Sequence, residues 1–212
     1  MPRICDFLTA QQPDVLCMQE TKVADDSFPR VEFEKLGYEV AFSGEGGYAG
    51  VATASRLPMK VMRRGFADEP QEVSRLLVTR IGRLPVVNTY VPQGKSAEDP
   101  AFQAKLEFLA RLRDFFDTNW TPRSRLLWVG DLNVAPEERD VHDPQRLAKH
   151  PDFHPAVRTA FAETVSWGFV DCFRLHNDEA GQYTFYDYRD KKSIEKRHGW
   201  RVDHIMATRP LA

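Results

Sequence analysis

Short apolar runs, each bounded by turn-forming residues, recur along the first half of the chain. Runs of this kind are typical of β-strands. They predict strands at Val15 to Gln19, Glu39 to Ser43, Val51 to Ala54, Met59 to Arg63, Ser74 to Arg80 and Pro85 to Tyr90. Before them, Ile4 to Ala10 is predicted to be the end of a helix, and Gln11-Gln12-Pro13-Asp14 the turn that follows it.

The second half of the chain alternates helical and strand-like patterns. Apolar residues from Phe102 to Phe116 have the spacing of one helix face and predict an amphipathic helix there. Further elements are predicted as a strand from Leu126 to Val129, a helix from Ala156 to Val165, and short strands near Val170 to Phe173, Tyr183 to Phe185 and Val202 to Ala207. Strands that look antiparallel, with helices between them, predict an α/β fold whose sheets are covered by helices on their outer faces.

Length and composition narrow the class of protein. With 212 residues, 42% of them hydrophobic, the chain is long enough for one substantial core, and we expect a single domain over residues 1–212. No apolar stretch approaches the roughly 20 residues that span a bilayer, and the N-terminus has no signal-peptide pattern, so a cytoplasmic protein without a membrane partner is expected. The three cysteines form no close pair, which argues against disulfides and against a zinc site.

The net charge gives no global signature of nucleic-acid binding. It is −2, with a pI near 6.3, whereas nucleic-acid-binding domains are often strongly basic. Any such surface must therefore be local, with Arg63-Arg64 and the basic residues between Lys191 and Arg201 as candidates. The alternative is that these runs are solvated loops.

The segment Gly130-Asp131-Leu132-Asn133 directly follows the apolar run Leu126 to Val129. Because side chains alternate along a strand, Asp131 and Asn133 are expected on one side of its carboxyl end, with Leu132 turned into the core. Ligands of open α/β sheets bind at that end of the strands. The alternative is an ordinary turn, which Gly, Asp and Asn all favour.

Three other polar residues are also predicted to lie at the end of an apolar strand, namely Glu20, Tyr90 and Asp203. Glu20, Asp131 and Asn133 offer hard oxygen donors, which suit Mg²⁺, or Mn²⁺, far better than zinc. Enzymes that catalyse displacement at phosphorus commonly use such a metal ion. A carboxylate can take a proton from the attacking water, and a phenol can donate a hydrogen bond to the charged oxygens of the transition state. Read singly, Glu20 and Asp203 could be surface charges and Tyr90 a half-buried aromatic.

Six short motifs, in this order, resemble those of the exonuclease III type of AP endonucleases. They are Gln19-Glu20-Thr21-Lys22, Gly47-Tyr48-Ala49-Gly50-Val51, Tyr90-Val91-Pro92-Gln93-Gly94, Gly130-Asp131-Leu132-Asn133, Ser166-Trp167-Gly168-Phe169-Val170-Asp171 and Arg201-Val202-Asp203. The resemblance implies a four-layered α/β sandwich, in which two mixed sheets pack face to face with helices outside. The Tyr-Val-Pro-Gln-Gly and Tyr-Asp-Tyr-Arg stretches favour the DNA-repair branch over the lipid-phosphatase branches.

The resemblance also implies a role for each matching residue. Glu20 matches the carboxylate that holds the divalent metal, and Asp131 matches the residue that activates the attacking water or handles its proton. Asn133, whose amide was named above as a metal donor, matches the side chain that orients the nucleophile and steadies the transition state. Tyr90 matches the tyrosine near the scissile phosphate, and Asp203 the aspartate that orients a catalytic histidine. The implied reaction is cleavage of duplex DNA 5′ to abasic sites, with removal of 3′-terminal nucleotides or blocking groups, by a monomeric enzyme.

Two segments match the parts of relatives that face DNA. One contains Gln93, Gly94 and Lys95, and the other contains Tyr188 and Arg189. Such residues would position the duplex through its backbone without reading its sequence. Phe185, with Tyr186 beside it, could stack in the gap left by a missing base, although core packing is an equally good interpretation.

The chain departs from the family pattern at both ends. The first strand with its Trp-Asn motif and the closing Ser-Asp-His segment have no counterpart, so the sandwich is expected to be incomplete at both termini and the chain to be a fragment. His204 is not a substitute histidine, because neighbouring strand residues point to opposite faces. Two alternatives remain: a nucleic-acid-binding module with impaired catalysis, and a phosphodiesterase of the same fold with another substrate, such as a phosphoinositide.

Overall fold

The computed structural model describes residues 1–212 and divides into two compact units. The first unit contains Met1–Tyr90 and Leu126–Gly130, and the second contains Val91–Arg125 and Asp131–Ala212. The single domain expected from the sequence stays a prediction. No helix has both the length and the apolar character needed to cross a membrane.

The first unit holds two sets of paired strands and two helices. Its elements are α1 (Pro2–Gln11), β1 (Val15–Gln19), α2 (Arg30–Glu34), β2 (Glu39–Ser43), β3 (Val51–Ser55), β4 (Met59–Arg64), β5 (Leu76–Ile81) and β6 (Leu84–Tyr90), followed by β7 (Leu127–Asp131). One sheet has the order β1-β3-β2, and the other set has the order β4-β5-β6-β7. Cys17 and Ala41 both pair with Thr53, so β3 is central and has neighbours on both edges.

The central strand β3 is buried on both faces, which explains why its sequence is apolar or small without alternation. On one face, Ala52 and Ala54 pack with Leu8 of α1 and Phe33 of α2. On the other face, Val51 packs with residues such as Leu77 of β5 and Tyr90 of β6. The first unit is therefore layered as helix, sheet and sheet.

The second unit contains three α-helices and four short strands. Its elements are α3 (Pro100–Asn119), α4 (Pro144–Leu147), α5 (Pro155–Val165), β8 (Phe169–Asp171), β9 (Phe185–Tyr186), β10 (Gly199–Trp200) and β11 (Asp203–Thr208). The Asp99 side chain caps α3 by accepting from the Ala101 amide, with Pro100 at the first helical position. α3 packs against α5, where the Thr164 hydroxyl donates to the Leu109 carbonyl, and β11 pairs with β8.

The predicted elements recur in the structure with shifted ends in a few places. β1 and β2 have the predicted bounds, whereas the strand predicted at Val170 to Phe173 spans Phe169–Asp171. It ends early because Asp171 Oδ1 accepts from the Phe173 amide and turns the chain. Sequence patterns missed the short elements α2, α4 and β10.

Candidate active site

Glu20 and Tyr90, two of the predicted site residues, are in direct contact in the first unit. Glu20 directly follows β1 in a left-handed conformation with φ of 53°, and Tyr90 is the last residue of β6. The Tyr90 hydroxyl donates to Glu20 Oε1 at 2.5 Å. A phenol and a carboxylate that are 70 positions apart in sequence thus form one short hydrogen bond.

The charges around Glu20 favour its ionised form. Burial disfavours the carboxylate, but the Tyr90 hydroxyl and Lys22 outweigh it, so the pKa of Glu20 lies below its ordinary value. Lys22 Nζ lies 3.2 Å from Glu20 Oε2. The Arg75 guanidinium lies 4.8 Å from the centroid of the Tyr90 ring and adds to the positive field. Glu20 therefore carries its negative charge across the neutral pH range.

Two of the sequence motifs form one structural feature that fixes Glu20. The Thr21 amide donates to the Gly50 carbonyl, and the Lys22 amide donates to the Ala49 carbonyl. Gly50 has φ of 97°, and a Cβ atom built on it would lie 2.1 Å from Thr21 Oγ1. Glycine is required there for both reasons. The turn after β1 therefore depends on the turn before β3.

In the second unit, Asp131 and Asn133 are joined by a tight turn. Asp131 Oδ1 accepts from the Asn133 amide at 3.1 Å, and Asn133 has φ of 49°. The strand ends at Asp131, so simple alternation does not bring the two residues together, and the turn does. Leu132 is fully buried, as its apolar side chain predicts.

The Asn133 side chain is held by the chain that follows β6. Its Nδ2 donates to the Val91 carbonyl at 2.9 Å. The Asp131 carbonyl in turn accepts from the Val91 amide at 3.0 Å. With Nδ2 used in this way, Oδ1 is the end of the Asn133 amide that remains for a metal ion or for water.

Asp203 and His204 occupy opposite faces of β11. Asp203 is exposed, and its amide donates to the Thr184 hydroxyl. His204 is buried, and its Nε2 donates to the Val134 carbonyl at 2.8 Å. His204 therefore does not share the environment of Asp203. Beside His204 lies Arg201, which is almost fully buried and pairs with two carboxylates, Asp140 and Asp171.

The residues predicted to face DNA lie in two loops of the second unit. Gln93, Gly94 and Lys95 precede α3, where the Lys95 amide donates to Asp99 Oδ2 and Gln93 Nε2 lies 3.5 Å from Asp152 Oδ2. Tyr188 and Arg189 follow β9 in a surface loop. Tyr188 is 85% exposed, and Arg189 pairs with Asp187 through two contacts of 2.9 Å.

Phe185 is half-buried in β9, and its ring centroid lies 5.7 Å from that of Trp200. Sequence reasoning missed Trp200, because a two-residue strand carries no detectable periodicity. It also missed Arg75, whose position over the Tyr90 ring depends on the pairing of β5 with β6.

The side chains predicted to hold a metal ion offer carboxylate and amide oxygens. No group of three or more His, Cys, Asp and Glu side chains is arranged to hold a metal ion. The candidates are Glu20 in the first unit, and Asp131 and Asn133 in the second. In the first unit, the ionised carboxylate of Glu20 is an oxygen donor that suits a hard cation. In the second unit, the Asn133 amide, whose Nδ2 is already bonded, offers its Oδ1 as a donor of the same kind.

Comparisons with known proteins identify relatives over nearly the whole chain. Residues 2–212 match the model of the Endonuclease/Exonuclease/phosphatase family. The chain is 34% identical over 214 residues to exodeoxyribonuclease III of Haemophilus influenzae, covering 95% of this chain and 80% of that protein. The resemblance read from the six motifs is therefore confirmed.

Solved structures of relatives also resemble this chain. An AP endonuclease from Archaeoglobus fulgidus superposes with a TM-score of 0.94 at 44% identity, covering 98% of this chain and 81% of that one. A 3′ phosphatase from Neisseria, bound to a product DNA hairpin, superposes with a TM-score of 0.90 at 28% identity and the same coverage, 98% and 81%. The predicted α/β sandwich is confirmed by these neighbours.

Proposed function

Because the chain belongs to the endonuclease/exonuclease/phosphatase family, we propose that it is a DNA-repair phosphodiesterase of the exonuclease III type. One substrate is duplex DNA with an abasic site, which the enzyme cuts on the 5′ side of that site. The other is the 3′ end of duplex DNA, from which the enzyme removes nucleotides or blocking groups. It acts as a monomer on DNA in the cytoplasm. The names of the relatives support this assignment, since they include an exodeoxyribonuclease III, an AP endonuclease and a 3′ phosphatase.

The observation that carries the proposal is the hydrogen bond from the Tyr90 hydroxyl to the Glu20 carboxylate at 2.5 Å. It joins the predicted metal ligand to the predicted phosphate-facing phenol. Glu20, Asp131 and Asn133 are the residues that would hold Mg²⁺, which Mn²⁺ can replace. When bound, the metal neutralises negative charge on the phosphate oxygens.

Each remaining role follows from the chemistry of the side chain. Asp131 takes the proton from the attacking water, and the Asn133 amide orients that water through its free Oδ1. Tyr90 donates a hydrogen bond to the charged oxygens that develop in the transition state. Asp203 is a carboxylate that can orient an imidazole.

Binding of DNA is assigned to the two loops of the second unit. Gln93, Gly94 and Lys95 offer one amide side chain, a small residue and one cation near the start of α3. Tyr188 and Arg189 offer an exposed aromatic ring and an exposed guanidinium, both suited to contacts with the DNA backbone. Phe185, with Trp200 against its ring, offers an apolar face to an extrahelical sugar.

The test compares the protein with its Asp131→Asn variant on a duplex that contains a single abasic site. The substitution removes the charge but keeps the Oδ1 acceptor of the turn to Asn133. A general base contributes about 10²–10⁴ in rate, so we expect kcat to fall by at least about 10²-fold. The exposed Asp114, on α3, provides the matched control Asp114→Asn, which should cut normally.

Further substrates separate the proposal from its alternatives. A duplex with a blocked 3′ end should also be processed, and EDTA should stop both reactions. Turnover of a phosphoinositide without turnover of DNA would assign another substrate. Salt-sensitive binding of the duplex without cleavage would instead identify a binding module.

A further inference from the structure

Lys105 is a fully buried lysine on the apolar side of α3. It lies three residues after Phe102 and four before Leu109, both of which are buried, and its own exposure is 0%. Lysine is almost never fully buried unless it is paired, because its ammonium group loses its hydration. The burial of Lys105 therefore requires compensating contacts.

Three oxygen atoms provide those contacts. Lys105 Nζ donates to Asp152 Oδ1 at 2.8 Å, to the Asn133 carbonyl at 2.8 Å and to the Pro151 carbonyl at 3.3 Å. An ammonium group has three hydrogens, so every donor of Lys105 is used. Burial lowers the pKa of Lys105, and Asp152 opposes this effect by favouring the charged form.

Asn133, whose carbonyl accepts from Lys105, has a strained backbone. Asn133 has φ of 49°, a region that side-chain-bearing residues seldom adopt. The ammonium group fixes its carbonyl, while the Val91 carbonyl fixes its side-chain amide. Both ends of Asn133 are therefore restrained.

Asp152 extends the same restraint to the neighbouring segments. Its backbone carbonyl accepts from the Ala135 amide at 2.7 Å, two residues after Asn133. Its Oδ2 lies 3.5 Å from Gln93 Nε2, in the loop that follows Val91. The pair of Lys105 and Asp152 thus contacts two loops that carry proposed site residues.

We propose that Lys105 is a positioning residue that acts through Asn133. Together with its partner Asp152, Lys105 holds the side-chain amide of Asn133 in the orientation that catalysis needs. The inference rests on the proposed function, because it assigns Asn133 a role in the reaction. A contrasting role would be structural support alone, in which the pair only completes the packing between α3 and residues 151–152. The two roles differ in what happens when the pair is replaced by uncharged residues.

The experiment uses Lys105→Met and the double variant Lys105→Met/Asp152→Asn. The single variant leaves the Asp152 carboxylate buried without its cation, so it should lose stability as well as activity. The double variant removes both charges and should recover stability, because replacing a buried ion pair is often neutral. The exposed Lys35, which directly follows α2, provides the matched control Lys35→Met.

For a positioning role we expect kcat on the abasic duplex to fall about 10–100-fold in both variants, since small misplacements of catalytic groups have effects of this size. KM should stay within about threefold, and so should the Kd for the same duplex in EDTA, because Lys105 is buried and does not contact substrate. The urea midpoint should fall in the single variant and return toward the original value in the double variant.

Two results would overturn the inference. One is a Lys105→Met variant with the original kcat, and the other is a double variant whose kcat returns together with its stability. If the unmodified protein itself fails to cut DNA, the proposed function fails and the positioning role fails with it. Failure of the proposed function can be distinguished from failure of the positioning role alone, because it is seen with the unmodified protein before any variant is compared.

Discussion

Replacing Gly130 with alanine tests whether the close approach of β7 to β6 is needed to place Asp131. Gly130 has φ of 139°, and a Cβ atom built on it would lie 1.9 Å from the Thr89 carbonyl oxygen and 3.0 Å from the Thr89 carbonyl carbon. Both are backbone atoms, so no side-chain rotation relieves the overlap. The strand itself must shift, and Asp131 is the next residue in the chain.

The magnitude has two parts. A residue with a side chain in this backbone region costs about 1–3 kcal/mol. Overpacking in a well-packed core adds about 1–3 kcal/mol. We therefore expect the free energy of unfolding to fall by about 2–6 kcal/mol, a large share of the roughly 5–15 kcal/mol that is typical of a protein.

Urea denaturation measures the loss, and Gly37→Ala is the matched control. Gly37 has φ of 80°, but a Cβ atom built there meets no atom within 4 Å. This variant should pay only the backbone cost, about 1–2 kcal/mol. The difference between the two variants then isolates the overlap with Thr89. If Gly130→Ala loses no more stability than Gly37→Ala, or cuts DNA at the original rate, the reasoning is wrong.

Two further predictions concern charged groups. Tyr90→Phe removes the hydrogen bond that lowers the pKa of Glu20, so this pKa should rise, as NMR titration of the metal-free protein can measure, and kcat should fall about 10²–10³-fold. Burial raises the pKa of Asp171, but His204 and Arg201 together lower this pKa by more than burial raises it. The folded-state pKa of Asp171 is therefore well below the ordinary value of about 3.9. The stabilisation is therefore complete above the ordinary value and is lost as pH falls below it toward the folded-state pKa. Arg201→Met leaves Asp140 and Asp171 without their shared cation, so the variant should lose about 3–5 kcal/mol at pH 7. At about pH 2.5, below the ordinary pKa of Asp171, the loss should be smaller, and urea midpoints that fall equally at the two pH values would contradict the prediction.

The periodic parts of the fold could be predicted from sequence, and the irregular parts could not. β1 and β2 are bounded by turn residues, so their ends are visible in the sequence. α2 and α4 have five and four residues, too few to show a helical period. The strand predicted near Tyr183 to Phe185 overlaps β9 (Phe185–Tyr186), but β10 has only two residues and depends on pairing with β9. The existence of β10 is a tertiary property.

The same division applies to the candidate site. The strand-end position predicts Glu20 and Asp131, because a polar residue after a buried run is visible in one dimension. The prediction for Asn133 identified the right neighbours through the wrong geometry, since a left-handed turn and not strand alternation joins it to Asp131.

Lys105 and Arg75 show why the supporting residues escape such reasoning. In sequence, Lys105 is only a polar interruption of the apolar face of α3, and Arg75 is an ordinary charge at the edge of β5. Their partners, the Asn133 carbonyl and the Tyr90 ring, lie 28 and 15 positions away. A backbone carbonyl carries no residue identity, so no motif can record the contact that Lys105 makes. Residues that act on backbone atoms can therefore be identified only from the structure. The Lys105→Met variant separates the contribution of such a backbone contact to activity from the contribution of the motif side chains.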